Sequence, residues 1–159
     1  MASDLLRAVH ERINEDIDGL SLSAEGLRAS IDARFGELVL EIDHDRESEA
    51  VRVSVRVAPP AGAGSSFLIW CLSANVQFWD VKIGLDEDGH LRVHSDMDAP
   101  EGCDLDALAA EIVDRADTVV DLLDDDAVEW LLANDLGTPA QRERWNARAG
   151  AESDDDVDD

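Results

Sequence analysis

The fold is decided by residues 79–97, WDVKIGLDEDGHLRVHSDM, in which two alternating runs flank a tight turn. In both runs every second residue is apolar, and this period of two is typical of strands with one buried face. The turn contains Gly89, which can adopt a positive φ angle without steric cost. The stretch therefore predicts a β-hairpin. The apolar residues assigned to its buried face are Trp79, Val81, Ile83, Leu85, Leu91, Val93 and Met97.

Three further strands are predicted before the hairpin. Apolar and polar residues alternate over 27–34, 38–42 and 51–57, and the last of these runs has valine at every second position. Short links between sequential strands favour an antiparallel meander. A Pro- and Gly-rich connector follows, and then residues 67–75 form a short helix, since bulky apolar residues recur there at helical spacing.

Helices are predicted on both sides of the strands. An amphipathic pattern indicates a first helix over 3–18, which Gly19 ends. A long helix is predicted over 105–123. The three aspartates at 124–126 break the chain, and they also provide favourable negative charge at the N-terminus of a further helix over 127–135.

These elements give an α+β fold. Their order is helix, three antiparallel strands, short helix, two strands and long helix, with the helices packed on one antiparallel sheet and an extra C-terminal helix. The length of 159 residues suits one domain. We expect that domain over residues 1–136, a short helical extension over 137–148 and a disordered acidic tail over 149–159.

The composition is strongly acidic, with 38 acidic and 13 basic residues and a net charge of −25. Such a chain repels phosphates, so neither nucleic acid nor an anionic membrane is expected as a partner. Two explanations of this acidity remain open. The negative charge keeps a partner-binding surface soluble, or it is an adaptation to high salt. The sequence shows no secretory signal or membrane span, which makes a cytoplasmic location the expectation. Cys71 and Cys103 have no metal-binding or redox spacing and are expected to be reduced.

No catalytic motif is recognisable in the sequence. It contains no glycine-rich phosphate loop, no nucleophile elbow and no zinc-protease motif. We therefore expect a protein that is not an enzyme and that needs no cofactor.

His90 and His94 are the weak candidates for metal ligands. They lie four residues apart on one strand and so face the same way. A flat strand separates them by roughly 13 Å, at about 3.3 Å per residue, which is too far for one metal ion to bind both. A solvated polar face is the preferred interpretation, and no metal is expected.

Bulky apolar side chains are concentrated in the short helix and at the start of the hairpin. This clustering allows two interpretations, a plain core or an interface with a partner or a second subunit, because Trp and Phe are favoured at interface anchors. The candidate interface residues are Phe67, Ile69, Trp70 and Trp79.

The segment 67–75, the Trp79–Leu85 alternation, the Asp86–Gly89 turn and Leu91 with Val93 resemble the type III secretion chaperone-like domains of CesT and YbjN type. The resemblance covers about residues 3–123. It implies a small acidic homodimer that binds another polypeptide without catalysis, in apolar grooves. Under this resemblance, the candidate groove formers are Leu5, Val9 and Ile13 of the first helix together with strands 27–57. The same residues are equally compatible with an ordinary core.

The leading hypothesis is a chaperone or adaptor for another polypeptide that works as an acidic homodimer. The alternative is a regulatory domain responsive to a small ligand or metal, which would use the polar face of the 79–97 hairpin.

Overall fold

A computed structural model describes residues 3–61 and 64–152 of the chain. Within these ranges the helices are α1 (Asp4–Ile13), α2 (Gly64–Gln77), α3 (Leu105–Asp121), α4 (Val128–Ala133) and α5 (Pro139–Glu152), and a π-helical segment spans Leu122–Ala127. The strands are β1 (Ser21–Leu22), β2 (Leu27–Asp32), β3 (Glu37–Asp45), β4 (Ala50–Val57), β5 (Lys82–Leu85) and β6 (Leu91–Asp98).

The six described strands form one antiparallel sheet in the order β1-β2-β3-β4-β6-β5. The chain leaves the meander after β4, makes α2, and enters the sheet again at its outer edge as β5. The hairpin turn at Gly89, whose φ is +79°, then returns β6 to a position beside β4. The predicted α+β class and the predicted hairpin are confirmed.

Only one face of the sheet is apolar. The four alternate valines of β4 are all buried, as are their partners on β6 and the partners Leu40 and Ile42 on β3. Helices α1 and α3 pack against each other and cover this face, with Val9 and Ile112 fully buried. The opposite face carries charged side chains, so the core is a single layer between sheet and helices.

Several predicted boundaries differ from the structure. Helix α1 ends at Ile13 and not at residue 18, because the acidic residues that follow place negative charge at the unfavourable end of the helix dipole. Helix α2 runs from Gly64 to Gln77, beyond the predicted 67–75, and β5 begins only at Lys82. Trp79 therefore lies in the connection before the hairpin and not on its buried face.

The predicted break at 124–126 is wrong, because the chain stays helical from α3 through the π-helical segment into α4. The aspartates contact the β2–β3 turn. Asp124 Oδ1 accepts a hydrogen bond of 3.0 Å from the backbone N–H of Phe35, and buried Arg34 lies 3.5 Å from Asp125 and 2.8 Å from Glu129. The wider helical turn thus positions acceptors for a tertiary contact.

Helix α5 is anchored in the core, although only a short helical extension was predicted over 137–148. Trp145 is 0% exposed, and Arg144 Nη2 donates to Asp32 Oδ1 over 2.8 Å and to the carbonyl of Ala33 over 3.2 Å. The helix continues to Glu152, so the first residues of the predicted tail are helical. The remaining tail, 153–159, lies outside the described residues.

Substitution of Gly137 by alanine tests the anchoring of α5. Gly137 has φ +87°, and an added Cβ would lie 2.7 Å from the Trp145 ring. Gly102 has φ +82° with nothing within 4 Å of its Cβ position, so Gly102→Ala is the matched control. We expect about 1 kcal/mol of destabilisation in Gly102→Ala, from the positive φ alone. In Gly137→Ala we expect about 2 kcal/mol more, from the steric clash.

Urea denaturation followed by circular dichroism measures both free energies of unfolding. Equal losses in the two variants would show that Trp145 does not pack against Gly137.

Candidate functional site

An exposed apolar stripe runs along the outer side of α2. Its residues follow one another at intervals of one, three or four positions, which places them on one side of a helix and of the chain that extends it. The exposed fraction rises along the stripe, to 79% for Val76 and 88% for Trp79. We call this surface the α2 stripe, and its residues are Leu68, Ile69, Leu72, Val76 and Trp79.

The inner side of α2 is fixed by aromatic packing. Phe67 is buried and stacks on Trp70, with ring centroids 5.5 Å apart and ring planes 9° apart. Trp130 of α4 contacts both rings, and Phe35 of the β2–β3 turn lies 6.4 Å from Phe67. Because aromatic contacts hold α2 on this side, the opposite side of the helix is left to solvent.

Asn75 joins α2 to the edge strand β5. Its side-chain amide donates to the carbonyl of Ile83 over 2.8 Å and accepts from the backbone N–H of Ile83 over 2.6 Å. One side chain thereby pairs with both outward-facing backbone groups of that residue, as a neighbouring strand would. The contact orients α2 and closes the strand edge at Ile83.

The structure divides the four predicted interface residues between two environments. Phe67 is buried and Trp70 is half-buried, so both belong to the packing beneath α2, while Ile69 and Trp79 are exposed in the α2 stripe. The sequence analysis missed Leu68, Leu72 and Val76. Their spacing was a usable signal, but a helix that is apolar on all sides does not indicate which side is covered.

The predicted groove formers on α1 also separate. Val9 is 0% exposed and Ile13 is 1% exposed, so both lie in the core and present no surface to a partner in this structure. Leu5 is half-buried and lines a cavity at the start of α1. The burial follows from the cover that α1 provides over the sheet.

A groove of about 330 Å³ lies beside β2, next to the part of that strand that the short strand β1 does not cover. Its floor includes Ile17, Ile31 and Val120, which come from the turn after α1, from β2 and from α3. The carboxylates around the groove are those of Asp16, Asp18, Asp32 and Asp117. The groove thus combines an apolar floor with an acidic rim, and no local sequence pattern joins these three separate segments.

The polar face of the hairpin groups His90 with the turn and not with His94. Ligand atoms of Asp86, Asp88 and His90 lie within 4.8 Å of one another, a combination that the sequence analysis did not propose. Arg56 is already placed among them, at 2.8 Å from Asp86, 2.9 Å from Asp88 and 3.0 Å from His90 Nδ1. A metal ion would have to displace this guanidinium group, because Arg56 already contacts all three potential ligand residues.

His94 lies apart from that cluster, 3.9 Å from Asp96. Burial and the nearby Arg52 guanidinium lower the pKa of His94, so its ring is neutral at pH 7. Hydrogen bonds from Arg52 lower the pKa of Asp96. The charges on this face are thus paired with one another across neighbouring strands.

In the part of the chain that the structure describes, no helix combines the length and apolar character required to cross a bilayer.

Comparison with known proteins defines the fold. No family model and no curated protein matches the sequence. Among solved structures, YbjN from E. coli, described as a candidate transcription regulator, has 16% identity and a TM-score of 0.63, over 86% of this chain and 95% of that one. ExsC, solved in complex with ExsE, matches with 20% identity and a TM-score of 0.55, over 77% and 93%. The chain has the type III secretion chaperone-like fold of YbjN type, as the sequence predicted.

The weaker match to the HopA1–SchA chaperone–effector complex has 16% identity and a TM-score of 0.49, over 72% of this chain and 87% of that one.

Substitution of Asn75 by alanine tests the link between α2 and β5. The change leaves the N–H and carbonyl of Ile83 without their partner, and we expect about 2 kcal/mol lower free energy of unfolding. Gln77→Ala, at an exposed position of the same helix, is the control and should change stability by less than about 0.5 kcal/mol. Urea unfolding of both variants measures the difference, and a neutral Asn75→Ala would argue against the paired hydrogen bonds.

Proposed function

We propose that the protein is a non-enzymatic protein-binding module, a chaperone or adaptor for another polypeptide, that acts in the cytoplasm as an acidic homodimer. The observation that carries this proposal is the α2 stripe. A contiguous apolar patch of this kind on a folded domain marks an interaction surface more often than bare surface.

The charge distribution supports self-association through α2. The helix carries no charged side chain from Gly64 to Gln77, although the chain as a whole has a net charge of −25. Two such chains repel each other, so a second copy can dock only where charge is low and apolar burial offsets the repulsion. The stripe meets both conditions, with Leu72 at its middle and Trp79 at its end as the proposed anchors.

The groove beside β2 supports binding of a second polypeptide. Its apolar floor and the rim carboxylates of Asp16, Asp18 and Asp117 fit an extended segment in which apolar and basic side chains alternate, whereas Asp32 already accepts from Arg144. The same carboxylates keep the empty groove hydrated, which limits aggregation while no partner is bound. The negative charge therefore serves both partner choice and solubility in this proposal.

The dimer is tested by substitution in the middle of the α2 stripe. We expect the parent protein to sediment as a dimer, and Leu72→Glu to weaken self-association about a hundredfold, or about 3 kcal/mol, because each copy would bury a charge. Val39→Glu, at an exposed apolar position on the other face of the sheet, is the control and should remain dimeric.

Analytical ultracentrifugation across a salt series gives the second readout. Salt screens the repulsion between the acidic copies, so the dimer should become tighter as ionic strength rises. A parent protein that stays monomeric at every salt concentration, or a dimeric Leu72→Glu variant, would contradict the proposed interface.

Partner binding is tested with two synthetic peptides, one alternating leucine with lysine and the other alternating leucine with glutamate. We expect the basic peptide alone to bind, and Asp117→Lys to weaken its binding about tenfold, because a charge reversal at the rim replaces attraction by repulsion. Asp114→Lys, on the same helix but outside the groove, should have a much smaller effect. Fluorescence anisotropy measures the affinities, and equal effects of the two substitutions would argue against the groove.

A further inference from the structure

A cavity of about 390 Å³ lies at the start of α1, away from the α2 stripe and from the groove beside β2. Three segments form its walls, namely the first turns of α1, the turn between β3 and β4, and the loop from β6 to α3. The walls are mainly apolar, and the volume lies in the range of small-molecule sites. The apolar lining consists of Leu5, Ala8, Ala99, Pro100, Cys103 and Leu105.

The His44 side chain provides the polar group of this cavity. Its Nδ1 atom is buried and has no hydrogen-bond partner, and among the described residues its ring makes no hydrogen bond. Burial and the neighbouring Arg46 lower the pKa of His44, so the ring is neutral at pH 7. The ring lines the cavity, and a neutral imidazole has one acceptor nitrogen that can receive a hydrogen bond from a donor that enters there.

The rim of the cavity is acidic. The charged residues at the rim are three carboxylates, Asp4, Glu49 and Glu101, and one cation, Arg46. Within the described residues none of these three carboxylates belongs to an ion pair. Negative charge at the mouth of an apolar cavity favours a ligand whose exposed end is a cation.

We propose that this cavity binds a small amphipathic amine, with its apolar body between α1 and the β6–α3 loop and its ammonium group at the rim. The ammonium group donates to His44 and faces the carboxylates of Asp4, Glu49 and Glu101. This assignment stands independently of the protein-binding function, because it uses none of the surfaces that carry it.

The protein contains its own reporter for the cavity. Cys103 is half-buried in the cavity wall, while Cys71 lies on the buried side of α2, where burial raises the pKa of its thiol to about 11. A thiol reagent at pH 8 should therefore modify Cys103 much faster than Cys71. Cys103→Ser should abolish this fast phase.

The experiment measures the rate at which Ellman's reagent modifies Cys103 in the presence of three probes of matched shape. These are 2-phenylethylamine, 2-phenylethanol and 3-phenylpropanoate, which are cationic, neutral and anionic. We expect saturable protection by the amine, about tenfold at a concentration ten times its dissociation constant. The alcohol should protect less and the carboxylate should not protect.

Two substitutions link protection to the cavity. Ala8→Phe fills it and should abolish protection, whereas Ala133→Phe, at an exposed position of α4, should leave protection unchanged. If Ala8→Phe does not fold, His44→Ala serves instead, and it should weaken protection by the amine more than protection by the alcohol.

Absence of protection by the amine would overturn the proposal. Equal protection by the carboxylate, or protection that persists in Ala8→Phe, would overturn it as well, because the proposed site lies in this cavity and selects a cation.

Discussion

The one-sided burial of the sheet is the constraint on which the remaining structure depends. Because β4 places all of its alternate valines on the same face, every helix that contributes to the core must lie on that face. Helices α1 and α3 cover the middle of the sheet, and α2 packs at its β5 edge. The other face is left to charged side chains. A single apolar layer thus decides where a partner can find apolar surface and where it finds charge.

On the open face, acidic and basic side chains neutralise one another across the strands. The Glu41 side chain is 8% exposed and contacts Arg28, directly opposite on β2, and Arg92 on β6, which lies beyond β4. Arg52 forms two hydrogen bonds with Asp96 directly opposite. Such pairs leave little free charge for a ligand to neutralise. The excess negative charge lies elsewhere. The acidic rims of the groove and the cavity therefore offer more negative charge to a basic ligand than the sheet face does.

Local sequence patterns were sufficient for the strands β2 to β6, the hairpin and the helix order, since each depends on periodicity within one segment, but they gave no sign of the two-residue strand β1. They were insufficient for α2, where apolar residues occur on both sides and only the contacts of Phe67 and Asn75 decide which side is covered. Trp79 illustrates the same limit. It continues the alternation of β5, but the longer α2 ends just before it and leaves it in solvent.

The groove and the cavity could not be predicted for a further reason. Each combines three segments that are distant in the sequence, and a period of two or of 3.6 residues says nothing about such combinations. The π-helical segment is similar, because its aspartates resemble a helix break until Arg34 and Phe35 are known to lie opposite them.

Closure of the sheet edges determines how such a domain can recognise a polypeptide. β1 is only two residues long, and Asn75 occupies the backbone groups of Ile83 in β5. Long strand pairing with another chain is therefore disfavoured at both edges. Recognition has to depend on side chains instead, through an uncharged helix and an acidic groove. Salt acts on these two surfaces in opposite directions, since it screens repulsion between like copies and attraction to a basic segment. The proposed self-association and the proposed partner binding are thus separable by ionic strength alone.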